Sequence, residues 1–166
     1  MREKYIEECG VIQQNCTYTA EAHHRLAISA KRKAFWLEVI PAVCAALSST
    51  LVAAGILGEW LLPFTVLSAT VSAVTAILNP NKMYQDHLAA AKNFTTLKHD
   101  ARFLRESQSK RLTDEALILA IENLHQRYNE LLKSTPPTDD KSFAKAREVV
   151  QSGIHGPDKG DDGKIK

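Results

Sequence analysis

The sequence predicts an all-α membrane protein: a two-helix transmembrane hairpin joined to cytoplasmic helices that form a bundle or coiled coil. Three observations carry this. The 166-residue chain is 24% charged, yet residues 39–81 contain one charge, Glu59; simple proportion gives about ten. The two blocks on either side of Glu59 are each long enough to cross a bilayer. Outside them, apolar residues recur at helical spacing, and no strand-like alternation of any length appears.

The chain averages conceal this division. Hydrophobic residues make up 45%, and Lys+Arg exceed Asp+Glu by 21 to 19. That balance gives no electrostatic footprint for nucleic acid. Three cysteines are too few for a disulfide-stapled secreted module.

Residues 1–34 read as a cytoplasmic helical segment. Within it, residues 2–14 are a short helix candidate weakened by Gly10, and residues 17–34 form a helix running into the first span. No apolar core precedes residue 35, so the first span is itself the expected insertion signal and is not cleaved.

Residues 35–81 read as the hairpin, with spans at about 35–57 and 60–79. Val39–Gly58 and Trp60–Asn81 carry no charge; about 20 apolar residues cross the hydrocarbon core as a helix. The connection Gly58-Glu59-Trp60 is short and forces antiparallel neighbours. Pro41 stands near the entrance of the first span, where a membrane helix tolerates it.

Lys31, Arg32 and Lys33 precede the spans and Lys82, Lys92 and Lys98 follow them, whereas the loop has no Lys or Arg. Positive residues stay inside, so both termini are expected in the cytoplasm and Glu59 outside. Trp36 and Trp60, with Lys31, Arg32 and Lys33, are the expected interfacial anchors. Glu38 is expected at the same interface, paired with Lys31 or Arg32, solvated, or part of a charged ring in an oligomer.

The second span carries a polar stripe. Thr65, Ser68, Ser72, Thr75 and Asn79 follow spacings of 3, 4, 3 and 4, which fall on one helix face. Two roles fit: lining a hydrated path in an oligomer, or packing against the first span. Small residues at Ala45, Ser49 and Ala53, and at Ala69 and Ala73, have the spacing that lets membrane helices approach closely.

Residues 82–152 read as cytoplasmic helices. From His87 onward, Ala91, Phe94, Leu97, Ala101 and Leu104 form a stripe. Thr113 is a good N-cap, with Asp114 and Glu115 suiting the positive helix end. Leu117, Ile121, Leu124, Tyr128 and Leu131 continue the stripe to Lys133, and Pro136-Pro137 ends the helix. Residues 139–151 form a short helix with Phe143, Ala146 and Val150 on one face. These stripes fit an intrachain bundle or self-association. Residues 153–166, rich in Gly and charge, read as a disordered tail.

Catalytic signals are lacking. There is no HExxH, CxxC, Walker-type loop or G-x-S-x-G. His23 and His24 are adjacent and so point to different helix faces. Cys9, Cys16 and Cys44 are expected to be packing residues. The reading is a non-enzyme with no cofactor and no metal.

The ordered combination of segments resembles a known family. AEAHHRLAISAKRKAFWLEVIPAVCAALSST, with His23, Ala27, Trp36, Pro41 and Ala45, is followed by NPNKMYQDHLAAAKNFTTLKHDARFL, with His87, Ala90, Phe94, Leu97 and Ala101. IENLHQRYNELLKSTPP contributes Leu124, Arg127, Tyr128, Leu131 and Pro136, and SFAKAREVV contributes Phe143, Lys145 and Ala146. Over roughly residues 16–152 the chain resembles the SLATT domain, a bacterial two-transmembrane effector domain of conflict and anti-phage systems. The resemblance implies an inner-membrane effector that oligomerises and permeabilises the membrane. It also implies a partner, a sensor or nucleotide second-messenger synthetase encoded nearby. A non-conducting membrane scaffold or sensor is the alternative.

Overall fold

The structure is a computed structural model that describes residues 2–55 and 61–152. The described residues form five α-helices and one 3-10 turn, with no strand: α1 Arg2–Ala53, α2 Leu61–Leu78, α3 Pro80–Glu106, the turn Gln108–Lys110, α4 Asp114–Ser134 and α5 Asp140–Gln151. Two compact units emerge, one from Met1–Leu26 with Asp86–Lys166, the other Ala27–Gln85. Trp60, Glu59, the Gly58-Glu59-Trp60 connection and the tail 153–166 lie outside the described residues.

The first unit is a three-helix bundle of α1, α3 and α4, with α5 added. Its core joins Cys9, Ile12 and Cys16 to Phe94, Leu97, Ala101 and Leu104, and to Leu117, Ile121 and Leu124. Each set follows 3–4 spacing, so one face of each helix supplies the core. The stripes expected on α3 and α4 are buried here within one chain.

The two N-terminal helix candidates are one helix, a correction to the expected break near residues 15–16. Gly10 lowers helix propensity by about 1 kcal/mol, but burial of Cys9, Ile12 and Cys16 outweighs it. Gly10 also has a packing role: a Cβ there would stand 3.3 Å from Nη1 of Arg105 on α3. The helix after the charge-free region begins at Pro80, a residue that suits the first helical position.

Side chains close the helix ends. Thr113 accepts from the Ala116 N–H at 3.4 Å, and Asp139 from the Ser142 N–H at 2.8 Å. Arg2 pairs with Asp114 and donates to the Leu112 carbonyl at 2.8 Å, tying the start of α1 to that of α4. Arg127 of α4 bridges Asp100 of α3 at 2.9 Å.

The second unit is an antiparallel pair, α1 from Ala27 onward with α2. Gly55, at φ 73°, ends α1 in a left-handed turn that a side chain would strain. Asn79 makes the other turn at φ 40°; after glycine, Asn tolerates that region best.

Replacing Phe94, fully buried at the bundle centre, by Ala is expected to destabilise the bundle by about 3–5 kcal/mol. Replacing Leu119, which is 68% exposed, is expected to change stability by no more than about 0.5 kcal/mol. Urea unfolding of the detergent-solubilised chain, followed by far-UV circular dichroism, compares the two.

Candidate functional site

The antiparallel pair is built on a narrow contact line. On α1 the line runs through Ala34, Leu37, Pro41, Cys44, Ser48 and Leu51, all buried or half-buried, with Val39 half-buried beside it; on α2 it runs through the half-buried Leu61, Phe64, Ser68, Val71 and Thr75. Both lines alternate spacings of 3 and 4, the pattern of helices packed at a shallow angle. Small side chains at Ala34, Cys44, Ser48 and Ser68 lie along it.

Nearly everything else on the pair is uncovered. Leu62 is 72% exposed and Ile77 83% exposed. In the most apolar 18-residue window of each helix, 6% of α1 and none of α2 is buried. Both helices are long and apolar enough to cross a membrane. A core helix of a soluble domain would have its apolar face covered.

The residues with small-residue spacing lie on other faces of the two helices. Ala45, Ser49, Ala53, Ala69 and Ala73 are all exposed, off the contact line. Ser49 bonds back to the Ala45 carbonyl at 2.9 Å. The contact line between the helices follows the seven-residue repeat through Leu37, Cys44 and Leu51, and the 45–49–53 set lies on another face.

The polar stripe of α2 divides. Ser68 and Thr75 are half-buried and reach α1, donating to the Pro41 carbonyl at 3.3 Å and the Leu37 carbonyl at 3.4 Å. Thr65 and Ser72 are exposed. Asn79 is exposed and stands at the junction of the two helices. It ends α2 and begins α3, its carbonyl accepting from Lys82 and Met83 N–H at 3.1 and 3.2 Å.

The charged and aromatic residues at the start of the apolar stretch are exposed. They are Lys31, Arg32, Lys33 and Trp36. Lys31 Nζ lies 5.7 Å from the Tyr84 ring centroid, and Trp36 sits edge-on to Phe35 at 5.6 Å. Glu38 is paired, but with Asn81, whose Nδ2 donates to Oε1 at 2.6 Å, rather than with Lys31 or Arg32.

A second polar feature, in the bundle, escaped the sequence reading. His23 of α1 and His87 of α3 are 1% and 6% exposed, with their Nδ1 atoms 3.0 Å apart. That contact requires one Nδ1 to carry hydrogen and the other a lone pair. His23 also stacks on Phe94, with ring centroids 5.8 Å apart. The available signal was a histidine on the buried stripe of each helix: His23 continues Cys9, Cys16, and His87 precedes Phe94. Register between helices 64 residues apart was not legible.

Burial, aided by His87, pushes His23 down to about 4. His87 is also lowered by burial, against Asp86 and Asp139, which pull it up. No group of three or more His, Cys, Asp or Glu among the described residues is placed to hold a metal ion. Burial raises both bundle thiols, Cys16 to about 12, so neither is poised as a thiolate.

A groove of about 970 Å³ runs between α1 and α4. Lys4 and Lys133 alternate there with Glu8, Glu122 and Glu130. Glu8 already pairs with His125 at 2.9 Å. Charges of both signs interleave, so the groove favours no single class of ion.

Comparison of the chain with family models, curated proteins and solved structures finds no match.

The histidine pair makes the bundle acid-sensitive. The unfolded chain takes up a proton near pH 6.5, whereas folded His23 resists until about 4. Stability is therefore full above about pH 6.5 and falls as pH drops toward 4, by roughly 2–3 kcal/mol from this group. Thermal unfolding between pH 7.5 and 4.5 should show the loss. His23→Leu/His87→Leu should flatten it with little change at pH 7.5, since both partners are removed together.

Proposed function

We propose that the chain is an integral protein of the bacterial inner membrane, with both termini cytoplasmic, whose hairpin self-associates and permeabilises the bilayer. The observation that carries this reading is the almost complete lack of protein cover over α1 and α2 in their most apolar windows. Such surface in water would drive aggregation. In a bilayer it is matched by acyl chains, and the helices satisfy their own backbone groups.

The exposed faces support self-association. On α2, Thr65, Ala69, Ser72 and Ala76 form an exposed line of small and hydroxyl side chains. On α1, Ala42, Ala46, Ser49 and Ala53 do the same. Between membrane helices, such lines allow close backbone approach. Lined up in an oligomer, Thr65 and Ser72 would give a hydroxyl-bearing path with no fixed charge and hence weak ion selectivity. The bundle is the part available to a partner. The resemblance to the SLATT domain suggests a sensor or nucleotide-synthetase partner and a role in anti-phage defence.

One observation favours a second reading, a non-conducting scaffold. Ser68 directs its hydroxyl to α1, and Thr75 shares its own between α1 and the Val71 carbonyl, leaving a thin outward polar surface. Expression in bacteria with a potential-sensitive dye separates the two. A pore predicts rapid depolarisation by the wild type and at least a tenfold smaller rate for Thr65→Leu/Ser72→Leu at equal membrane level. Equal depolarisation by both excludes these residues as the lining. Absence of depolarisation even on co-expression with the genomic neighbours favours the scaffold.

A further inference from the structure

Proline has no N–H, so Pro41 cannot donate to the carbonyl four residues earlier. That carbonyl, on Leu37, thus loses its helical partner in an apolar stretch, where an unpaired backbone group is costly. The hydroxyl of Thr75 on α2 faces it at 3.4 Å. One turn along, the Pro41 carbonyl accepts from Ser68 at 3.3 Å, and Glu38 between them accepts from Asn81 at 2.6 Å. These cross-contacts all converge on the single turn of α1 that contains the proline.

Ser68 and Thr75 differ from their neighbours in this. Ser48, Ser49 and Thr50 on α1, and Thr65 and Thr70 on α2, bond back to carbonyls of their own helix. Thr75 has that option too, with the Val71 carbonyl at 2.8 Å. Its single hydroxyl proton thus has two acceptors, whereas the Leu37 carbonyl has lost its helical donor. The hydroxyl can leave without becoming unsatisfied; the carbonyl cannot. Such an arrangement favours the closed pair yet has a defined second state. Proline-interrupted turns are also where helices bend.

We infer that the turn Leu37–Pro41 is a hinge clasped by Thr75 and Ser68, and that releasing the clasp lets the far ends of α1 and α2 separate. In the resting state the clasp holds the helices together. The consequence for permeability, that the open pair is the conducting form, rests on the proposed function; the clasp itself does not.

The test uses the full chain in liposomes, with spin labels at Thr50→Cys and Leu62→Cys in a background where Cys9, Cys16 and Cys44 are Ala. Thr75→Val/Ser68→Ala should shift the interlabel distance outward by several ångströms and broaden it. Thr70→Val, which removes only a bond within α2, should leave it unchanged. Pro41→Ala restores the N–H that serves Leu37, so in that background Thr75→Val should have no effect on the distance. This background also keeps the test usable if the double variant folds poorly. Unchanged distances on clasp removal, or an equal effect of Thr75→Val with and without Pro41, overturn the clasp. Dye release from the same liposomes should rise at least tenfold with the opening. Opening without release leaves the clasp standing and counts against the pore.

Discussion

The structure depends on one imbalance: two helices carry apolar surface around most of their circumference, and protein covers only a thin line of it. Leu62 and Ile77 are examples, left open beside a contact line of Leu61, Phe64, Ser68, Val71 and Thr75. Burying apolar surface is worth roughly 25 cal/mol per Å², and a two-helix pair cannot collect it from its own interior. The surface must be met from outside. Lipid meets it with the least added structure, which is why we propose a membrane hairpin.

Within such a medium the hydrophobic effect no longer selects partners, and polar groups do. The pair accordingly holds its polar contacts where the backbone is incomplete. Pro41 removes a donor, and Thr75, Ser68 and Asn81 bring theirs to the same turn. The bundle obeys the opposite rule. There, Phe94, Leu97, Leu117 and Ile121 are excluded from water, and the buried polar groups His23 and His87 satisfy each other.

Those two regimes explain what the sequence disclosed. In the bundle, apolar and charged residues alternate strongly, so the faces of α3 and α4, the Thr113 cap and the stop before Pro136 were all legible. In α2 almost every residue is apolar, small or a hydroxyl. No contrast marks which face meets α1, and the stripe from Thr65 to Asn79 hid two different environments and a helix junction. The small-residue spacing at Ala45, Ser49 and Ala53 was equally ambiguous, because spacing shows that residues share a face without saying what that face meets. The His23–His87 contact and the Glu38–Asn81 bond depend on registers between helices, which one-dimensional periodicity does not contain.

In the proposed topology the two apolar helices cross a bilayer with the loop outside. Membrane-impermeant maleimide labelling of intact bacteria tests it most directly, using Glu59→Cys and, separately, Gln14→Cys in a background lacking the native cysteines. Glu59→Cys should label in intact cells and Gln14→Cys only after permeabilisation, and both chains should stay in the membrane pellet at alkaline pH. Labelling of Gln14→Cys in intact cells, or release of the chain into the soluble fraction, would contradict it.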